Sequence, residues 1–357
     1  MSMFDFGIEE DATDNHEEPT APPKTVQLEP FAQLDLSQLL DSLPPLISFS
    51  PLPIRLWAGG RDNITLSRRD LFDARFQLIS EGHGDESSSK PTPSTAALGF
   101  LDAPSDLVPG VYEGGLKTWE CSLDLVGYLD TLDLHFSGKR ILEIGCGTGI
   151  PSVFILHRLF CGDSTSGSET HVHLQDYNAS VLELITLPNI ILAWYMSPAE
   201  QEYRSSESDP DTEYPPADPT ASGELPLTPT LKAAFVASLS KYGIKLTFSS
   251  GAWGSLHAHL ESTSEPSYDL VLTSETVYRT ESLHALIALL HRVSGPNAMC
   301  LVAAKVLYFG VGGGVSEFSA ALQSKAIIQA GCAGKAESVW ERKVGVGRKI
   351  LRIQWEA

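Results

Sequence analysis

Basic residues are scarce in this sequence. Lys and Arg together number 25 against 45 Asp and Glu, which gives a net charge of −20 at pH 7. A general nucleic-acid-binding protein normally carries a basic face, so we expect no direct contact with nucleic acid. The sign of the charge instead suits a basic protein partner, such as an RNA-binding protein.

Cysteines are few, and long apolar runs are missing. The five cysteines are odd in number and never spaced C-x-x-C, which predicts free thiols in a reducing compartment and no metal site. Met1–Pro23 contains no Lys, no Arg and no long apolar run, unlike a secretory or mitochondrial signal. No apolar run approaches the length of a membrane span. We therefore expect a soluble, monomeric protein of the cytoplasm and nucleus, without a membrane partner.

The chain does have enough apolar residues, 42%, for a sizeable core. We expect residues 1–95 to form a largely disordered extension, because this segment is acidic, rich in proline and interrupted by Gly/Ser linkers. Short strands and an amphipathic helix that pack in part on the main domain are the alternative for Ile54–Ile79. Residues 96–357 then form one domain. Within it, residues from about 199 to 227 are again acidic and rich in Ser and Pro, so we predict a disordered insertion there.

The most informative stretch is Glu143-Ile144-Gly145-Cys146-Gly147-Thr148-Gly149. It follows an apolar run typical of a buried strand and precedes a second one, Val153–Phe160, typical of a helix. Glycines at such a turn permit positive φ and the close approach of a ligand. The first N–H groups of the helix face the crevice in which open α/β sheets bind ligands. The stretch therefore predicts a cofactor site, and a purely structural turn is the alternative.

Polar residues also follow three further predicted strands. Asp176-Tyr177-Asn178 ends the second strand, and its carboxylate can accept hydrogen bonds from both hydroxyls of a ribose. Ala252-Trp253-Gly254 forms a turn after the third strand, where the tryptophan can contact an adenine or simply pack on the next helix. Ser274, Glu275 and Tyr278 follow the fourth strand, and the last two can share one side of a helical turn. Capping of the next helix is the alternative role for Ser274 and Glu275.

Three other features give weaker signals. Thr118-Trp119-Glu120-Cys121-Ser122 lies where a glycine-rich loop becomes a helix, and a tryptophan at such a junction is more often a core anchor than a ligand contact. His171 and His173 share one strand face without partners at metal-ligand spacing, so we interpret them as ordinary strand residues. Tyr308–Gly314 ends in a glycine-rich run that predicts a mobile hairpin or a substrate gate.

Together these motifs resemble those of the histidine protein methyltransferases, a branch of the seven-strand S-adenosylmethionine enzymes. The resemblance covers residues 105–357, whereas the first hundred residues and the acidic insertion match no pattern of that family. Glu275–Tyr278 is also similar to the acid-x-x-aromatic motif of a wider group of protein methyltransferases that includes lysine enzymes. The segments that carry the resemblance are Val111–Cys121, Gln175–Asn178, Thr186–Asn189, Ser250–Trp253, Thr273–Tyr278 and Tyr308–Gly314.

The resemblance implies an α/β fold with a doubly wound seven-strand sheet, six strands parallel and one antiparallel. It implies S-adenosylmethionine as the cofactor and one histidine of a basic large-subunit ribosomal protein of the L-three family as the methyl acceptor. Glu275 is the candidate for fixing the imidazole tautomer, and Tyr278 for a wall or hydrogen-bond donor. A lysine methyltransferase and a non-catalytic cofactor-binding chaperone are the alternatives. The residues expected to bind the cofactor are Thr118, Trp119, Glu120, Cys121, Ser122, Glu143, Gly145, Cys146, Gly147, Gly149, Asp176, Tyr177, Asn178, Ala252, Trp253, Gly254 and Ser274.

Overall fold

The computed structural model describes residues 29–57, 63–74, 77, 114–163, 168–205, 214–263, 265–310 and 312–356. The predicted domain boundary near residue 95 and the motif residues Val111, Tyr112 and Glu113 lie outside this part of the chain. The same holds for residues 1–28 of the extension and 206–213 of the insertion.

Eight strands form one main sheet in the order β1-β7-β5-β4-β8-β9-β11-β10. The five central strands, from β7 to β9, are parallel, and β11 runs antiparallel to both of its neighbours. Because β10 is antiparallel to β11, it has the same direction as the five central strands. Six strands are therefore parallel and β11 is antiparallel, which confirms the predicted α/β fold. The eighth strand, β1, pairs antiparallel with the outer edge of β7 and was not predicted. The strands of the described chain are β1 (Ala32–Leu34), β2 (Leu46–Arg55), β3 (Asn63–Arg69), β4 (Arg140–Ile144), β5 (Thr170–Asp176), β6 (Gly223–Pro226), β7 (Ile244–Ser250), β8 (Tyr268–Ser274), β9 (Ser294–Lys305), β10 (Gly334–Arg342) and β11 (Arg348–Trp355).

Helices cover both faces of the main sheet. Neighbouring residues of each central strand point to opposite sides, and the apolar side chains on both sides are buried under these helices. Ile141 of β4 packs in one apolar layer with Phe154, whereas Leu142 packs in the other layer with Leu286. All four side chains are buried. The helices of the described chain are α1 (Leu36–Ser42), α2 (Glu120–Thr131), α3 (Ile150–Phe160), α4 (Ala179–Tyr195), α5 (Gln201–Ser205), α6 (Pro229–Lys241), α7 (Trp253–Ser262), α8 (Leu283–Val293), α9 (Val315–Leu322) and α10 (Lys325–Gln329), with single helical turns at 71–74, Pro198–Glu200 and Thr280–Ser282.

The N-terminal extension is ordered beyond the segment Ile54–Ile79 for which strands were considered, because β1, α1 and most of β2 lie before it. β2 lies between β3 and β6 in a second sheet of three strands. Pro51 and Pro53 led us to expect disorder, yet they lie in the half of β2 that β6 does not cover. A proline is tolerated on such an open edge because no ladder hydrogen bond is lost there. The alternate side chains Ile47 and Phe49 are buried and secure the segment.

The predicted acidic insertion is also partly ordered. Its first residues form α5, and its last residues form β6, which pairs with β2 of the extension. Tyrosines anchor the middle: the Tyr195 hydroxyl donates to the Pro215 carbonyl at 2.5 Å, and Tyr203 donates to the Tyr214 hydroxyl at 2.7 Å. Composition alone predicted disorder here because these few aromatic anchors are diluted by Ser, Asp and Pro.

Helix α4 contains a π turn over Leu182–Thr186 and resumes as an α-helix with Pro188 in its first turn. Arg69 of β3 docks on this irregular turn, donating from its guanidinium to the Leu184 carbonyl at 2.7 Å and from its backbone N–H to Asn189 Oδ1 at 2.8 Å.

No single described helix is long and apolar enough to span a membrane, although α4 and Pro198–Ser205, bent by 79°, meet the length and composition criteria as a pair.

The two strand histidines lie on β5. The His173 ring bonds the Tyr268 hydroxyl at 2.6 Å and the Ser249 hydroxyl at 2.7 Å, and His171 bonds Thr247 at 2.8 Å. Burial lowers the pKa of His173 to about 3, so the ring is neutral in the folded protein. Both residues are held by neighbouring strands, as our interpretation required.

Candidate active site

The carboxyl ends of β4, β5 and β8 surround a cavity of about 760 Å³, a volume that includes space open to solvent. Open α/β sheets bind their ligands at this edge. Of the residues predicted for the site, those that line the cavity are Trp119, Ser122, Gly145, Cys146, Gly147, Asp176, Tyr177, Trp253, Ser274, Glu275 and Tyr278. The lining residues that we did not predict are Gly115, Lys117, Thr148, Thr276 and Tyr308.

The glycine loop adopts a backbone that few other residues tolerate. Gly145, Gly147 and Gly149 have φ values of 59°, 51° and 66°. A side chain on Gly147 would also meet the backbone of Gly115, since its Cβ would lie 3.2 Å from the Gly115 oxygen and 3.3 Å from its Cα. The loop is therefore pressed against the segment that precedes α2, and the two together form one wall of the cavity.

Asp176 fixes the glycine loop to the end of β5. Its Oδ2 accepts the Gly147 N–H at 2.9 Å, and its Oδ1 accepts the Asn178 N–H at 3.0 Å. The side chain is 5% exposed and faces the cavity. The Asp176 carboxylate at the end of β5 is therefore within reach of a ligand in the cavity.

Glu143 has a different position from the one expected of a cofactor ligand. Its side chain is 1% exposed and does not line the cavity; Oε2 instead accepts from the backbone N–H of Ser152 at 2.9 Å and from the Ser152 hydroxyl. Oε1 has no hydrogen-bond partner among the described residues. Burial, opposed by the Ser152 hydrogen bonds, raises the pKa of Glu143 to about 7. Glu143 thus holds α3 against the end of β4, and it shapes the loop without touching the cavity.

Several other predicted cofactor residues support the cavity from behind. The Thr118 hydroxyl donates to the Thr148 hydroxyl at 3.2 Å, and Asn178 Nδ2 donates to the Gly114 carbonyl at 3.1 Å. Gly149 caps α3, and Ala252 caps α7. The predicted residues outside the lining are Thr118, Glu120, Cys121, Glu143, Gly149, Asn178, Ala252 and Gly254.

Glu275 is the centre of the opposite wall. It has a φ of 59°, a conformation that is uncommon for non-glycine residues and concentrated at functional sites. Its Oε2 accepts the Tyr308 hydroxyl at 2.7 Å, and its Oε1 accepts the Cys121 N–H at 3.3 Å. Lys305 Nζ lies 3.7 Å from the same Oε1. Glu275 therefore joins three segments that are far apart in the sequence, and it does not act as a simple helix cap.

Tyr308 lines the cavity beside Glu275, and Lys305 supports Glu275 from outside the lining. Lys305 Nζ also lies 3.4 Å from Glu120 Oε2 and 4.5 Å from the centre of the Trp119 ring, a cation–π distance. Burial and then the Glu275 charge raise the pKa of Tyr308 far above its usual value, so its hydroxyl remains a donor. Tyr278 lies beside it, with ring centres 6.3 Å apart.

Sequence comparison identifies the family. The chain is 34% identical over 291 residues to "Histidine protein methyltransferase 1" of Schizosaccharomyces pombe, which covers 79% of this chain and 76% of that protein. It is 37% identical over 267 residues to the protein of the same name from Saccharomyces cerevisiae, covering 73% of this chain and 69% of that protein. The chain belongs to the histidine protein methyltransferase family.

Residues 238–309 also match a family model described as "Lysine methyltransferase". This stretch contains β8, Glu275, Tyr278, Lys305 and Tyr308, so most of the Glu275 wall lies within the matched segment. The glycine loop and Asp176 lie outside it and within the wider resemblance to the histidine family.

Glu275 and Tyr278 were predicted as site residues from the sequence, whereas Tyr308 was not. A signal was present, because Tyr308 is the third residue after the end of β9, and the parallel strands β8 and β9 end at the same edge of the sheet. Because of the adjacent glycines, we interpreted Tyr308–Gly314 as a mobile hairpin or a substrate gate. The hydrogen bond from Tyr308 to Glu275 spans 33 residues, and neither local pattern predicts it.

Proposed function

We propose that this chain transfers the methyl group of S-adenosylmethionine to a ring nitrogen of a histidine in a protein. One observation carries the proposal: a single cavity has the glycine loop and Asp176 on one wall and the Glu275–Tyr308 hydrogen bond on the other. The first wall has the backbone and the acid that a nucleoside requires. The second has an acceptor and an aromatic surface suited to an imidazole.

The residues of the first wall fit the cofactor. Asp176 would accept from the ribose hydroxyls, and Trp253 would contact the adenine from the start of α7. Trp119 and Ser122 would border the methionine end, at the start of α2. When bound, S-adenosylmethionine supplies a methyl group on a positively charged sulfur that is already a good leaving group.

The second wall would position the acceptor. A free histidine has a pKa of about 6.5, so at neutral pH most of it already has a nucleophilic nitrogen. Glu275 would accept the N–H of the other ring nitrogen, fixing the tautomer and stabilising the positive charge that develops on the ring. Tyr278 would close the side of the ring, and Tyr308 would hold the Glu275 carboxylate in place. Holding the two reacting atoms in line at about 3 Å supplies most of the catalysis, because this lowers the entropic part of the barrier.

The substrate we propose is a basic large-subunit ribosomal protein of the L-three family. The motif resemblance supports this choice, and a net charge of −20 favours the approach of a basic partner. We further propose that the chain acts as a monomer in the cytoplasm and nucleus, where such a protein is made and assembled.

The test is mass spectrometry of large ribosomal subunits from cells that lack this chain. We expect one histidine of the L-three protein to lose a methyl group, and purified chain with S-adenosylmethionine to restore it. Unchanged methylation would reject the substrate.

Acid hydrolysis of protein labelled in vitro separates the alternatives. Methylhistidine supports the proposal, whereas methyllysine supports the lysine activity suggested by the description of the matching family model. A lysine enzyme would have to deprotonate an ammonium with a pKa of about 10.4. Binding of S-adenosylmethionine without any transfer would favour a non-catalytic chaperone.

A further inference from the structure

Exposed apolar side chains are concentrated at one place on the surface. In the described part of the chain, four of the eight exposed large hydrophobic residues lie at the end of β9 and in the turn between β10 and β11. They are Leu307 (46% exposed), Phe309 (84%), Val344 (78%) and Val346 (45%), and we call them the β9 patch. Single exposed apolar residues need no explanation, but a contiguous group indicates an interaction surface.

The β9 patch has a defined shape. Leu307, Phe309 and Val346 line one open groove, which β9 and the β10–β11 turn enclose from two sides. The two segments are joined by the hydrogen bond from the Val306 N–H to the Gly347 carbonyl at 2.8 Å. The groove therefore lies between two segments that are hydrogen-bonded to each other at the end of the main sheet.

The charged residues around the groove are already paired. Lys343 and Lys349 each lie 3.6 Å from a Glu341 oxygen, and Arg342 Nε donates to the Val344 carbonyl at 3.4 Å. These cations are in contact with groups of this chain. The groove therefore offers apolar side chains within a charged rim whose members contact groups of this chain.

The β9 patch and the cavity share a wall. Leu307 and Phe309 are exposed, while Tyr308 between them reaches inward to Glu275. Tyr308 is bonded to Gly313, because its N–H donates to the Gly313 carbonyl at 3.1 Å, and Gly313 in turn packs on the Tyr278 backbone, from which a Cβ on Gly313 would lie 2.3 Å. A chain that crosses Phe309 therefore runs past the residues that border the acceptor position.

We propose that the β9 patch is the docking surface for large apolar side chains that flank the methylated histidine in the protein substrate. This inference rests on the proposed function. A histidine side chain is short, so the backbone that carries it must lie against the mouth of the cavity, and the neighbouring residues must contact the rim. Phe309 is the natural anchor, because aromatic side chains at the centre of an interface contribute most of its binding energy.

The experiment measures methyl transfer to the total protein of cells that lack this chain, with methyl-labelled S-adenosylmethionine. Phe309→Ser changes the most exposed residue of the patch, and Val344→Ser changes the patch from a separate segment. Ile328→Ser is the matched control, an exposed apolar residue of α10 outside the patch. Each variant is assayed for half-saturating extract concentration, plateau rate and calorimetric affinity for S-adenosylmethionine.

We expect Phe309→Ser to raise the half-saturating extract concentration by about tenfold, the usual loss at an interface anchor. Val344→Ser should raise it less, and Ile328→Ser should leave it unchanged. Cofactor affinity should be unchanged in all three variants. If the wild type transfers methyl groups and Phe309→Ser does so at the same half-saturating extract concentration, only this inference is overturned. If the wild type transfers none, the proposed function is overturned and this inference with it.

Discussion

The two walls of the cavity are built in different ways. The glycine-loop wall consists mainly of backbone, with Gly145 and Gly147 at positive φ and Asp176 bonded to the Gly147 N–H. The Glu275 wall is built around the Glu275 and Tyr308 side chains, with support from the Lys305 side chain of β9 and the Cys121 backbone N–H of α2. The first wall leaves no space for change, because a Cβ on Gly147 already meets backbone.

This difference predicts different responses to mutation. In the glycine-loop wall an added atom should act by steric exclusion and abolish binding. In the Glu275 wall the removal of one polar group leaves others in place, since Glu275 has three neighbouring partners. Substitutions in the Glu275 wall should therefore lower the rate of methyl transfer by amounts that depend on which polar group is removed.

The largest effect is expected for Gly147→Val. A β-branched residue resists the φ of 51° and would push against the Gly115 backbone. We expect the calorimetric Kd for S-adenosylmethionine to rise by more than about 100-fold, equivalent to about 2.7 kcal/mol. Gly331→Val is the control, because Gly331 has a φ of 70° but no atom within 4 Å of its Cβ position. Equal affinity in the two variants would show that the loop wall does not hold the cofactor.

The next largest effect is expected for Glu275→Gln, which preserves shape and removes charge. Loss of the carboxylate should lower kcat for methyl transfer by about 100-fold, within the range of positioned acid–base groups. Cofactor affinity should change little. Single-turnover rates with saturating cofactor are the measurement. A full rate in the variant would mean that the acceptor meets another group.

A third prediction compares two acids that bond the glycine loop or the helix after it, only one of which lines the cavity. Asp176→Asn should weaken cofactor binding by about 1.5–3 kcal/mol, the contribution of hydrogen bonds to a charged group. Glu143→Gln should leave affinity almost unchanged, because Glu143 does not line the cavity. Equal losses of affinity in the two variants would contradict the supporting role that we assign to Glu143.

Glu143 should instead affect stability as a function of pH. Its folded pKa of about 7 lies above the ordinary value of 4.5, so its stabilising contribution is complete below about pH 4.5 and is lost as pH rises through 7. Glutamine does not titrate. The free energy of unfolding of Glu143→Gln, relative to the wild type, should therefore increase by roughly 2–3 kcal/mol between pH 5 and pH 8. Urea denaturation at both pH values measures this difference, and a constant difference would show that Glu143 is ionised throughout.

The comparison of the two walls also explains what the sequence could predict. Glu143–Gly149 spans the end of β4, and Asp176 is the last residue of β5, so strand-end reasoning placed the glycine loop and Asp176 correctly beside each other. It could not separate Glu143 from Asp176, because only the packing of α3 decides that the Glu143 side chain turns to Ser152. Lys305 and Tyr308 were missed as partners of Glu275 because their contacts depend on the β8–β9 register.

The folded part of the extension shows the same limit. Pro51 and Pro53 are unfavourable in a strand when only neighbours in the sequence are considered, yet β2 has an open edge at both positions. The partners that make β2 a strand are β3 and, more than 170 residues later, β6. Composition shows only that proline is unfavourable in a strand. The burial of Ile47 and Phe49, which offsets this effect, depends on distant segments of the chain.

The smallest effect is expected for Tyr308→Phe. The variant keeps the ring beside Tyr278 and removes only the hydroxyl that donates to Glu275 at 2.7 Å. Lys305 and the Cys121 N–H still hold the carboxylate, so we expect kcat to fall by about tenfold, at the low end for a charged hydrogen bond.

The double variant Glu275→Gln/Tyr308→Phe tests whether this hydroxyl acts through the carboxylate. If it does, removing it after Glu275 has already been changed should cost little more, and the two losses should not add. Additive losses would show that Tyr308 contacts the acceptor directly. The Glu275 wall would then contain two independent polar groups instead of one carboxylate with its supporting residues.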